Sequence, residues 1–175
     1  ILFCFFIVSI STFAQFSKTH YIPPVSHSAA QEPQEQFLYI SSPSLIPINF
    51  QIKAAIGGTL VTGTVSRDLP YAYNVGFGNN TPFLIDRIDV NTIKNNKGFI
   101  VEAEDLVYVT VRVVATPQRF QAGSIVSKGQ AALGRQFRIG AFTNTNVSNT
   151  LNIHYTFASI MATENNTVIS FSDIK

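Results

Sequence analysis

Glu102, Glu104 and Asp105 are the densest group of carboxylates in the chain. On one extended strand, Glu102 and Glu104 point to the same side, roughly 7 Å apart from the strand rise. Two acids at such spacing suit glycoside hydrolysis, in which one protonates the leaving oxygen and the other attacks or activates water. They also suit calcium, a hard cation that takes carboxylate oxygens. Glycosidases, however, usually draw their two acids from different strands, and a solvated strand end is the commoner meaning of an acidic run. Asp86 and Asp89, with Asn91, form a second and weaker acidic cluster in a stretch that reads as loop; Asp86 is the partner acid an enzyme would use. This cluster lacks the ligand spacing of a calcium-binding helix–loop–helix. The weak calcium candidates are thus Asp86, Asp89, Glu102 and Glu104, and no other cofactor is expected.

Other chemistries have less support. His20, His27 and His154 are the only histidines and show no zinc-ligand spacing. There is no Gly-x-Ser-x-Gly elbow for a serine nucleophile. Gly129-Gln130-Ala131-Ala132-Leu133-Gly134-Arg135-Gln136 has the glycine spacing of a phosphate-binding loop, but Arg135 and Gln136 stand where Lys and Ser or Thr are needed. No catalytic residue is therefore assigned. Tyr39, Tyr71, Tyr73, Tyr108 and Tyr155 would suit a carbohydrate or peptide groove, and equally a core. Asn79-Asn80-Thr81, Asn146-Val147-Ser148 and Asn165-Asn166-Thr167 match the N-glycosylation rule.

The elements that must position these residues read as short strands. Ile48, Phe50 and Ile52 alternate with Asn49, Gln51 and Lys53, which puts one face inward and one in water. Phe37–Ile40, Thr59–Ser66, Tyr71–Val75 and Phe99–Ala103 read the same way, with Gly57-Gly58 and Asn95–Gly98 as turns. Glu104-Asp105 reads as a turn into Leu106–Val114, the best candidate for a central strand, with Val107, Val109, Val111 and Val113 on one face. Leu151–Phe157 and Thr167–Ser172 read as a closing hairpin about Asn165-Asn166. Ala122–Gly140 breaks the rhythm, and Gly129–Gly134 suits a single helical turn. Regular short strands and no long amphipathic helix predict an all-β fold, an antiparallel sandwich or barrel-like module.

Composition narrows the function. Hydrophobic residues make up 46% of the chain but charged ones only 13%, about half the usual share, so Ser, Thr, Asn and Gln supply the polarity. That mixture suits exported β-proteins. The net charge of +2 has no basic cluster, which argues against nucleic acid. Ile1–Ile10 is an uncharged apolar run followed by Ser11-Thr12-Phe13-Ala14, the form of a secretory signal peptide cleaved between Ala14 and Gln15. A membrane span needs roughly twenty apolar residues, so no integral span is expected after cleavage. Cleavage also removes Cys4, the one cysteine, and with it any disulfide framework. The absence of a starting Met and basic leader predicts a signal truncated at its N-terminus.

Phe16–Glu35, with Pro23, Pro24 and Pro33, reads as an extended lead-in, part of which is expected to pack because it carries Tyr21 and Ile22. The expected organisation is a signal peptide at 1–14, a lead-in at 15–36 and a β-rich domain at 37–175.

Several stretches are distinctive as a set: Phe16-Ser17-Lys18-Thr19-His20-Tyr21-Ile22-Pro23-Pro24, Tyr39-Ile40-Ser41-Ser42-Pro43, and Asn96–Glu104. Ala122–Gly129, Leu133-Gly134, Phe137–Gly140 and Ser159–Thr167 complete it, with Ala162-Thr163-Glu164-Asn165-Asn166-Thr167 the most distinctive. Together they resemble the N-terminal region of very large surface proteins of Bacteroidetes, particularly flavobacteria. That region is similar to the IgG Fc-binding protein N-terminal domain family. The resemblance implies export, a β-rich fold and surface adhesion. It also implies a chain that continues past Lys175 through further extracellular modules to a gliding-motility-type sorting domain read by type IX secretion. The family name implies immunoglobulin binding, but no Fc-contact residue set maps onto this chain. The expectation is a non-enzymatic adhesion module, secreted or at the cell surface, that meets an extracellular protein or glycan and, on its way out, the export machinery. The rivals are a polysaccharide-active enzyme and a structural cap of a β-array.

Overall fold

The computed structural model describes residues 15–26, 33–89, 91–115, 121–140 and 157–172. Their elements run β1 (Phe16–Ile22), β2 (Val25–Ser26), β3 (Pro33–Ser41), β4 (Ile48–Ala54), β5 (Thr59–Val65), β6 (Tyr71–Gly76), β7 (Leu84–Ile85), β8 (Phe99–Ala115) and β9 (Gln121–Val126). Two short 3-10 turns, Arg87–Asp89 and Gly129–Ala132, are the only helical pieces among them. Seven strands make one antiparallel sheet in the order β5-β4-β8-β3-β6, with β1 and β9 also on β8. β2 and β7 form a small parallel pair.

The sheet is organised by β8, whose 17 residues would span roughly 56 Å if straight. Instead it bends at Glu104-Asp105-Leu106. Its first part, Phe99–Ala103, pairs with β4, and its last part, Tyr108–Ala115, pairs with β3. On the opposite edge β1 crosses the bend. From Ser17↔Val107 to Thr19↔Glu102, β1 advances two residues while β8 advances five, a wide bulge.

Bulged backbone loses ladder partners, and an unpaired buried carbonyl is costly. Side chains supply the missing donors. Lys18 Nζ donates to the Glu104 carbonyl at 2.7 Å, and Ser42 Oγ to that of Leu106 at 3.1 Å. His20 Nε2 reaches the Val107 carbonyl at 2.9 Å. The Asp105 carboxylate takes the Leu106 N–H at 2.9 Å.

The bend turns the β4–β5 and β3–β6 leaves toward each other, curling the sheet into half a barrel. Between them lie Leu38, Ile40, Phe50, Ile52, Phe99, Val101, Val107 and Val109, all almost wholly buried. Phe50 meets Tyr71 with ring centres 4.9 Å apart, and Tyr73 meets Phe99 edge-on at 6.3 Å. Gly63 makes room for this contact: a Cβ there would stand 2.9 Å from the Phe50 ring. Phe83 and Leu84, from the long β6–β8 connection, also join this core. That connection is pinned by Gln36, which is fully buried; its amide donates to the carbonyls of Pro33 and Gly78 and accepts from Thr81 Oγ1 at 2.6 Å.

The all-β antiparallel expectation stands, and several details are corrected. Glu104-Asp105 is a bulge within one strand, because β1 pairs on both sides of it and holds the chain on course. Phe16–Glu35 is not a lead-in: β1 and the start of β3 belong to the sheet, with Ser17, His20 and Ile22 turned inward. Its prolines do not prevent this. Pro23 and Pro24 lie between β1 and β2, and Pro33 opens β3, the strand position where a missing N–H is tolerated. Of the closing hairpin, Leu151–Thr156 lies outside the described residues, and Thr167–Ser172 is exposed and forms no strand. The turn at Asn165-Asn166 is present, with Asn166 at φ 60°. The signal segment, Ile1–Ala14, lies outside the described residues.

The wholly buried Leu38 and the exposed Leu45 separate core from surface. Leu38→Ala is expected to cost about 2–5 kcal/mol in urea unfolding, and Leu45→Ala to stay within about 0.5 kcal/mol.

Candidate functional site

The outer face of the β4–β5 leaf collects polar side chains into rows that cross three strands. Strand alternation turns Phe50 and Ile52 inward, so Asn49, Gln51 and Lys53 face out. Pairing then sets Thr64 opposite Asn49, and Thr62 opposite Gln51 and Gln51 opposite Glu102. Thr19 of β1 extends the second row on the far side of Glu102.

In each row the β4 amide is hydrogen-bonded to the β8 carboxylate. Asn49 Nδ2 donates to Glu104 Oε2 at 2.8 Å. Gln51 Nε2 donates to Glu102 Oε2 at 3.0 Å, and Thr59 Oγ1 donates to Gln51 Oε1 at 3.0 Å. Lys53 Nζ stands 2.7 Å from the same Glu102 oxygen. Both members of that ion pair are partly exposed, so it adds little stability and chiefly fixes the carboxylate. Asn49, Gln51, Thr62, Thr64, Glu102 and Glu104 line an open depression of about 610 Å³, with Phe50, Gly63 and Ala103 also in its lining. Chemically the face offers amide donors, hydroxyls and two fixed carboxylates at strand spacing. That set matches a ligand rich in hydroxyl groups.

The outer face of the other leaf is aromatic. Phe37 and Tyr39 stack along β3 with ring centres 5.8 Å apart, and Phe16 meets Tyr108 at the same distance. Arg112 and Asn74 flank Phe37 on the neighbouring strands. The tyrosines expected at one groove are thus divided: Tyr39 and Tyr108 face outward, Tyr71 and Tyr73 pack on the core, and Tyr155 lies outside the described residues.

The calcium candidates are divided too. Glu102 and Glu104 share the depression. Asp86 and Asp89 sit in the connection after β7, where Asp86 accepts the Ile88 N–H at 3.1 Å and Asp89 pairs with Lys94 at 3.0 Å. Nearby, desolvation and then the Lys94 charge push the Lys97 ammonium below its ordinary value, and its Nζ donates to the Thr81 carbonyl. Among the described residues no three His, Cys, Asp or Glu side chains converge as a metal would require.

Asn49, Gln51, Thr62 and Thr64 were not singled out by sequence. Alternation marks them as outward-facing, but their adjacency to Glu102 and Glu104 follows only from pairing across some forty to fifty-five positions. The Gly129–Ala132 segment is a 3-10 turn seated on β1. A Cβ on Gly129 would collide with Ser17, whose Oγ accepts the Gln130 N–H. Of the glycosylation matches, Asn79–Thr81 has its Thr81 hydroxyl buried on Gln36, Asn165 is exposed, and Asn146 lies outside the described residues.

His20 is wholly buried beneath the bend. A carbonyl only accepts, so Nε2 carries the proton given to Val107, and Nδ1 accepts from Ser127 Oγ at 2.9 Å. Both nitrogens are satisfied with the ring neutral.

No protein-family model, curated protein or solved structure matches the chain. No helix among the described residues is long and apolar enough to cross a membrane.

Desolvation pushes His20 below its ordinary value of 6.5, more than offsetting the backbone hydrogen bonds that raise it. The unfolded chain therefore binds this proton first. Stability is expected to be complete above about pH 6.5 and to fall as pH drops from there through the folded value. Unfolding curves across that range are expected to show the slope in the wild type and to lose it in His20→Leu. A wild type of constant stability through that window would count against this role.

Proposed function

We propose that this chain is a non-enzymatic adhesion module, secreted or displayed at a bacterial cell surface, and that the polar face of β5, β4 and β8 binds a neutral glycan. The observation that carries this reading is the pair of amide–carboxylate bonds, Gln51 to Glu102 and Asn49 to Glu104, with the exposed Thr62 and Thr64 beside them in register. Sugar hydroxyls each need a donor and an acceptor, and here the amides and carboxylates are ordered before any ligand arrives. Binding then costs less side-chain entropy. Export is supported by the signal-like Ile1–Ala14 run, and surface adhesion by the flavobacterial resemblance. The same resemblance supports further modules downstream. Immunoglobulin binding is no part of the proposal.

Two features favour binding over turnover. Glu102 and Glu104 leave the same strand, whereas a glycosidase sets its acids on either side of the scissile bond. Both are also engaged, Glu102 by Lys53 and Gln51 and Glu104 by Asn49.

A glycan array followed by calorimetric titration of the best binder tests the reading. Gln51→Ala is expected to weaken binding about tenfold, the worth of roughly one good neutral hydrogen bond. Arg135→Ala, on the exposed turn beyond β9, is expected to change nothing. A folded protein that binds no glycan, or a Gln51→Ala variant of unchanged affinity, overturns the proposal. New reducing ends released from a bound glycan would make the enzyme the better account.

A further inference from the structure

β5 is an open edge. Among the described residues it pairs only with β4, leaving the N–H and C=O groups of alternate residues without a ladder partner on its other side. Natural edge strands are usually blunted by charge, proline or bulges. Here the only irregularity is at the start, where Ile52↔Val61 is followed by Lys53↔Thr59 and Leu60 is left over. Beyond it, Val61-Thr62-Gly63-Thr64-Val65 carries no charge and no proline.

That segment also reads the same in both directions. We propose that β5 pairs antiparallel with β5 of a second copy of this chain, about a two-fold axis through Gly63. A two-fold interface requires a self-complementary surface, and a palindromic strand supplies one residue by residue. With the axis on Gly63, Thr62 faces Thr64 of the second copy on the outer side, and Val61 faces Val65 on the inner side. Both are β-branched pairs of the kind that stabilise adjacent strands. Because residue spacing keeps its parity across the axis, inner faces meet inner faces. The other edge strands among the described residues, Phe16–Ile22, Tyr71–Gly76 and Gln121–Val126, are not palindromic. A second copy is therefore the partner that β5 fits.

The contact is small. Five paired residues a side fall well below the roughly 1,200 Å² of a standard interface, so the pairing is weak in dilute solution. Dense display on one surface would make it effective through local concentration. Pairing would also set two polar depressions side by side, since Thr62 and Thr64 line each. The inference does not rest on the glycan reading, and its test uses no ligand.

Sedimentation of the chain at concentrations on the order of 0.1 mM is expected to show reversible dimers. Thr62 and Thr64 are exposed, so replacing both with Lys sets like charges opposite each other and is expected to abolish association with the unfolding midpoint unchanged. Combining Thr62→Glu with Thr64→Lys instead sets each new carboxylate against a new ammonium of the second copy and is expected to restore it. A wild type that stays monomeric overturns the proposal. So does a double-Lys variant that dimerises like the wild type, or a Glu–Lys variant that stays monomeric like the double-Lys one.

Discussion

The fold depends on one local problem, the bend in β8. A strand that turns within a sheet strands its own carbonyls, and in a buried setting each must find a donor. His20 of β1 meets the buried Val107 carbonyl and Ser42, just past β3, the half-buried Leu106 carbonyl, while Lys18 bonds the exposed carbonyl of Glu104. Without the bend, β3 and β4 would lie end to end along one edge of a flat sheet with their apolar faces in water. With it, those faces close on each other, and Phe50 and Tyr71 come into contact across the fold.

The same bend divides the surface. Before it, the outward residues of β8 are Glu102 and Glu104, set against the amides of β4. After it they are Tyr108, Thr110 and Arg112, set against the aromatics of β3. One continuous strand thus serves a hydrogen-bonding face and a stacking face, and the change of character falls where the backbone changes direction.

The β4, β5 and β6 strands were legible from alternation and glycine turns, because in them one face is buried and the other wet. The Val107–Val111 face was legible for the same reason. β1 was not. Ser17 and His20 look solvated in a linear reading, and only the bulge they serve explains their burial. β9 was hidden by Gly123 and its exposed neighbours, which carry no apolar face of their own. Of the candidate site, Glu102 and Glu104 stood out by charge density. The uncharged half did not, since an Asn or Thr on a wet strand face looks the same whether its neighbour is water or a carboxylate.

Among the described residues, the strand that β1 pairs with lies far along the chain. β1 pairs with residues 99–108, and His20 completes its hydrogen bonds on Ser127, 107 positions away. Contacts of such separation form late, after the loop-closure entropy between them has been met. β1 is therefore made well before the partners that place it. Until β8 and the segment after β9 are present, the polypeptide can form the β4–β5 hairpin but cannot cap the bend. A stretch that ends before Ser127 therefore lacks the hydroxyl that completes the hydrogen bonds of His20 beneath the bend.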